Sequence, residues 1–153
     1  MNYYQAAQVI SDRLITALPT FQVIGLVDSS EIESALKNQH CVFITPGLDR
    51  VINNANTINP DVTTVEQNWI ITLAVQSAFQ QNTLSKLTRF NECGEYVSAV
   101  FDALQNYQFS QFFTPFKRVN AEYRPAVIKS KVFIPLQFST VMSYAVEGNE
   151  VVI

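Results

Sequence analysis

Two adjacent residues, His40 and Cys41, are this chain's nearest approach to a nucleophilic pair, because a thiolate activated by an imidazole is a common covalent catalyst. Their adjacency works against that chemistry. Consecutive strand residues project to opposite faces, and Cys41-Val-Phe-Ile-Thr45 reads as a strand, so the thiol and imidazole are expected on opposite faces and His40 is expected to be structural or incidental. His40 is the only histidine, which leaves no two-histidine metal site. Cys41 and Cys93 each stand alone in their segments, so neither a disulfide framework nor a CxxC knuckle is present and reduced thiols are expected. Carboxylates pair as Glu31 with Glu33, Glu92 with Glu95, and Glu147 with Glu150. The first pair belongs to a helix N-terminus and the second shares a helix with Lys86 and Arg89, which is how solvated helix surfaces read. No P-loop, G-x-G-x-x-G or G-x-S-x-G motif occurs, and four scattered glycines cannot line a phosphate cradle of the usual kind. No catalytic, cofactor-binding or metal-ligating residue is assigned.

Charge is the more informative chemistry. The formal net charge is −3, which is not the footprint of a nucleic-acid binder. Residues 1–116 carry 5 basic and 10 acidic side chains, and residues 132–153 carry 2 acidic and none basic. Between them, Lys117, Arg118, Arg124, Lys129 and Lys131 face Glu122 alone. This local positive stretch has three readings: protection of a sheet edge against pairing, contact with an acidic protein surface or an identical subunit, and proximity to a nucleic acid.

The elements that must position these groups follow from hydrophobic period. Tyr4, Ala7, Ile10, Leu14 and Leu18 recur at helical spacing within Tyr3 to Leu18, and Pro19 ends the helix. Phe21 to Val27 is a short strand candidate, Glu31 to Lys37 a short helix capped by Ser30 and Glu33, and Cys41 to Thr45 a central strand covered on both faces. Leu48 to Val65 reads as a hairpin with a polar tip near Asn59 to Asp61. Its return arm places Val65, Gln67, Trp69, Ile71, Leu73 and Val75 on one face. Leu84 to Tyr107 reads as the second main helix, with Leu87, Phe90, Gly94, Val97, Phe101 and Leu104 inward and Gly94 marking either a close approach to the sheet or a kink. An aromatic connector follows. Strands over Phe116 to Tyr123 and Lys129 to Ser139 come next, Val132, Ile134, Leu136 and Phe138 sharing a face. Pro135 inside the second marks an edge strand or a bulge. Residues 141–153 are left for a further strand or an arm.

One domain spanning 1–153 suits the length. Only 15% of residues are charged, while 12 Gln and 12 Asn make 24 of the 153, so much of the polar surface is neutral and is cheaper to desolvate against another protein than ions are. The N-terminus lacks a leader pattern, and no apolar run approaches the length of a membrane span.

In this order of elements the chain resembles the tail terminator, or tail completion, proteins of long-tailed bacteriophages and prophages. Val65 to Val75, the helix Gly94-Glu-Tyr-Val-Ser-Ala-Val-Phe-Asp-Ala-Leu104 and the closing strand Lys131-Val-Phe-Ile-Pro-Leu-Gln-Phe138 carry the resemblance, which extends to about Phe138. It implies an α+β fold, with a mixed, mainly antiparallel sheet packed on two main helices. It also implies a ring of identical subunits, usually six, that caps the finished tail tube, stops its polymerisation and offers its other face to a head-completion protein. The implied partners are itself, the tail tube protein and the head-completion protein, with no membrane, no cofactor and nucleic acid only by proximity in the tail channel. The implied location is the head-proximal end of the virion tail, with assembly in the host cytoplasm. Lys117, Arg118, Arg124, Lys129, Lys131, Asn53, Asn54 and Asn56 are the candidate contact residues for neighbouring subunits or the tube, since hairpin tips and charged edges meet partners while helical stripes fill cores. A head–tail connector ring component, or a small ligand-binding or enzymatic α+β domain, are the alternatives.

Overall fold

The longest apolar alternation in the sequence becomes the spine of the structure. The computed structural model describes residues 2–25, 40–52, 62–76, 91, 93–128 and 131–145. Its elements are α1 (Gln5–Ala17), β1 (Gln22–Ile24), β2 (His40–Pro46), β3 (Arg50–Ile52), β4 (Val62–Gln76), α2 (Gly94–Leu104), β5 (Lys117–Val119), β6 (Ala126–Ile128) and β7 (Lys131–Ala145). On β4, Val65, Gln67, Trp69, Ile71, Leu73 and Val75 share one face and none is more than 5% exposed. β7 answers with Val132, Ile134, Leu136, Phe138, Thr140 and Met142, all buried. The two strands pair antiparallel over fifteen residues each, from Val62 opposite Ala145 to Gln76 opposite Lys131, without a slip. At strand rise this ribbon is about 50 Å long.

The other strands complete an open, mixed sheet of order β1-β2-β4-β7-β5, with β3 also pairing with β4 and β6 with β7. β1 lies parallel to β2 and every other pairing is antiparallel. α1 and α2 pack over one face, so the expected α+β class holds. Val42 and Ile44 of β2 enter that helix-covered core, while Cys41 and Phe43 join Ala74 in a smaller cluster on the opposite face. β2 is therefore the central strand, buried on both sides, that its unbroken apolar run predicts. The hairpin arms also hold: Arg50, Val51 and Ile52 face Glu66, Val65 and Thr64. The tip residues, the short helix over Glu31 to Lys37, the proposed helical residues 84–90 and the last residues 146–153 lie outside the described part.

Four expectations need correction. The core stripe of α1 runs through Ala6, Ile10 and Leu14 and continues to Leu18, while Tyr4 precedes the helix and is 58% exposed. On α2 the buried residues are Val100, Ala103 and Leu104, with Val97 and Phe101 only partly covered; Gly94 is exposed, and an added Cβ would meet nothing within 4 Å. Gly94 therefore mediates no close approach. That role falls to Gly47, where a Cβ would sit 3.1 Å from Asn68 Cβ and the backbone N–H donates to the Asn68 carbonyl at 2.7 Å.

The other two corrections concern the C-terminal third. Residues 141–145 continue β7 and do not begin a new element. Pro135 lies in neither an edge strand nor a bulge, because β7 is paired on both sides and its register with β4 is unbroken. The proline is tolerated because the second neighbour is interrupted: β6 covers Lys131 to Phe133 and β5 covers Gln137 to Ser139. Thr114 donates its N–H to the Val141 carbonyl and Ser143 donates to Phe112, so these odd-numbered β7 residues turn their backbone groups away from β4. Pro135 shares that parity, and the N–H it lacks would have pointed into the gap between β5 and β6.

Candidate functional site

His40 and Cys41 do not form a catalytic pair. The His40 ring stacks on Phe21, with centroids 5.0 Å apart, and lies 5.5 Å from Tyr96. Its Nδ1 accepts the Gln76 backbone N–H at 3.1 Å, which assigns the proton of the neutral ring to Nε2. Burial, and secondarily the Lys131 cation, hold its pKa below the usual histidine value. Cys41 faces the other side of the sheet, and burial pushes its thiol up while Lys131 pulls in the opposite sense. A buried thiol kept protonated is a poor nucleophile. Of the carboxylate pairs, Glu95 stands exposed in the first turn of α2; Glu92 and the other two pairs lie outside the described residues. Among the described residues no group of three or more His, Cys, Asp or Glu is placed to hold a metal ion, and no helix is long and apolar enough to cross a membrane.

The basic stretch is partly brought together. Lys117 and Arg118 stand exposed on β5, at the end of the sheet's strand order, and Arg124 stands exposed in the link from β5 to β6. None of the three pairs with a described carboxylate, whereas Arg50 pairs with Glu66 at 3.1 Å. Arg118 is held in place: its guanidinium lies 4.4 Å from the centre of the Phe101 ring, and its backbone N–H donates to Gln105 Oε1 at 2.9 Å. Lys131 departs from expectation. It is only 7% exposed and its charge is felt by His40 and Cys41, so its pairing position beside β4 and β6 takes it out of the exposed group. Lys129, Asn53, Asn54 and Asn56 lie outside the described residues.

Where β5 stops and β6 has not begun, the edge opens into a cleft of about 470 Å³ lined by residues 118–121 and 135–137. Its floor is fixed by amides. Gln137, 6% exposed, donates through Nε2 to Asn68 Oδ1 at 3.2 Å and accepts the Glu122 N–H at 3.2 Å, and Asn68 in turn donates to the Leu48 carbonyl at 3.0 Å. On the helix side of the sheet a second buried amide, Gln67, donates to the Tyr3 carbonyl at 2.7 Å and to Met142 Sδ at 3.0 Å, and accepts Trp69 Nε1–H at 3.4 Å. The Tyr3 hydroxyl donates to Asp49, and burial together with that carboxylate pushes its pKa up to about 12. The alternation over Val65 to Val75 places Gln67 on the buried face without giving it a role, and nothing in it locates the cleft. The signals available were an amide in phase with an apolar stripe and a proline in a strand pattern.

A family model described as "Phage tail terminator protein" matches residues 1–147. The chain belongs to the phage tail terminator family. No curated protein matches the sequence significantly. A chain in the solved "Virion of native gene transfer agent (GTA) particle" has the same fold with a TM-score of 0.55 at 14% identity, the match covering 94% of this chain and 100% of that one. Membership of the tail terminator family makes this chain a structural protein of the phage tail, located in the virion.

Proposed function

We propose that this chain forms a ring, of six subunits by family likeness, that caps the tail tube when it reaches full length, ends polymerisation and presents its opposite face to a head-completion protein. Its place is then the head-proximal end of the tail, with assembly in the host cytoplasm, and its action is mechanical with no catalysis. The observation that carries this reading is the terminator-family match over residues 1–147. The cationic edge at Lys117, Arg118 and Arg124 supports it, since these charges lack described intramolecular carboxylate partners on a chain whose net charge is negative. One face of the ring binds the growing end as a tube ring would. The other lacks the surface that recruits the next tube ring, so elongation stops by the absence of a site. Native mass spectrometry tests the ring directly: six copies of the 17.3 kDa chain give about 104 kDa. A uniformly monomeric species, alone and on tail tubes, would overturn the ring. Binding to portal-bearing heads without binding to tubes would move the protein to a head–tail connector role.

A further inference from the structure

We infer that the cleft between β5 and β6, with its rim, is one half of a head-to-tail contact between copies of this chain, and that it receives an acidic segment of the neighbouring copy. The inference rests on the ring reading and assigns this edge to copy–copy contact in preference to the tube. Tyr123, 64% exposed, stands next to Arg124 in the link from β5 to β6, and Lys117 and Arg118 are exposed on β5. Exposed arginine with tyrosine is the chemistry of an interface centre. The site is also preorganised. The floor amide of Gln137 is held from both sides by Asn68 and the Glu122 N–H, and at the rim, on the helix side of the sheet, Arg118 is braced over Phe101, so little order remains to be imposed when a partner side chain enters. Pro135 turns its backbone toward the same gap and contributes an acceptor without a competing N–H.

Charge selects the occupant. Residues 1–116 carry a net charge of −5 and residues 132–153 a net charge of −2, so the body of a second copy complements a stretch whose own net charge is +4. A two-fold contact through this edge would set Lys117, Arg118 and Arg124 against their own counterparts, which like-charge repulsion disfavours. The contact is therefore between unlike surfaces, the kind that closes into a ring or runs on as a filament.

The test uses the full-length chain with the photocrosslinker p-benzoylphenylalanine in place of Tyr123, alongside an Arg118→Glu variant, with circular dichroism and melting temperature as folding controls. The expected result is a link from position 123 to a peptide outside residues 117–131 of another copy, and self-association weakened about tenfold or more by Arg118→Glu without loss of melting temperature. A link to residues 117–131 of another copy overturns the head-to-tail contact. A ring that forms, gives no link from position 123 and tolerates Arg118→Glu overturns the cleft assignment and leaves the ring standing. A chain that stays monomeric alone and on tail tubes overturns both.

Discussion

Replacing Gln67 with leucine is expected to destabilise the fold by about 2 kcal/mol. Leucine is close in volume, so the loss is one of polar partners and not of packing. The Tyr3 carbonyl loses its 2.7 Å bond, and the Trp69 Nε1–H loses an acceptor at 3.4 Å, in a site where Gln67 is 1% exposed. Depriving a buried polar group of its partner costs about 1–3 kcal/mol, and the added apolar burial of leucine returns about 1 kcal/mol. For a chain of this size that net loss lowers Tm by about 4–8 °C, readable by differential scanning calorimetry at neutral pH. Gln67→Glu sharpens the test. A carboxylate can accept from Trp69 but cannot donate to Tyr3, whereas a carboxylic acid can donate. Burial raises the folded-state pKa of such a group above its unfolded value, so its support is present at low pH and is lost as pH rises through the folded value. The Gln67→Glu chain should lie closer to wild type at about pH 5 than at about pH 8. An unchanged Tm for Gln67→Leu, or a pH trend of opposite sign for Gln67→Glu, would refute the role of Gln67 as a buried donor.

Other outcomes follow from single contacts. Gly47→Ala should lower stability by about 1–2 kcal/mol because its Cβ meets Asn68 at 3.1 Å, whereas Gly94→Ala, at the open start of α2, should raise it by up to about 0.5 kcal/mol; urea midpoints distinguish the two. His40 has a folded pKa below its unfolded value, so stability should be complete above about pH 6.5 and fall as pH drops through that value toward the depressed one. Replacing His40 with glutamine should flatten this part of the Tm–pH profile, and an unaltered slope would dismiss His40 as its source. Self-association through the cationic edge should weaken as salt is raised from about 0.05 to 0.5 M, measured by sedimentation velocity; salt-independent assembly would show that charge does not select the partner.

The sheet was legible because its signals are local and have a period of two. The alternation over Val65 to Val75 and Val132 to Phe138 leaves one choice of buried face, and a slip of one residue would expose all of it. The helix faces were read less well. Spacings of three and four leave the stripe uncertain by about one residue. Counting Gly94 as apolar pulled the expected α2 face off the line through Val100, Ala103 and Leu104, and left Phe101 to be covered from the side by Arg118. The cleft depends on which strand lies beyond β7 and where that strand breaks, a nonlocal fact that Pro135 hints at without locating. Lys131 illustrates the same limit: its charge suggests an exposed edge, but its place between Gln76 and Ile128 in neighbouring strands buries it.

Tube capping by the purified protein distinguishes a terminator ring from a bystander. Purified protein is added to tail tube protein polymerising in vitro, and tube lengths and ends are scored by negative-stain electron microscopy. A ring-shaped density is expected at one end of each tube with growth arrested at that end, and arrest is expected to weaken in the Arg118→Glu chain. Tubes that lengthen at the same rate with uncapped ends, in the presence of a folded excess of the protein, would contradict the terminator ring.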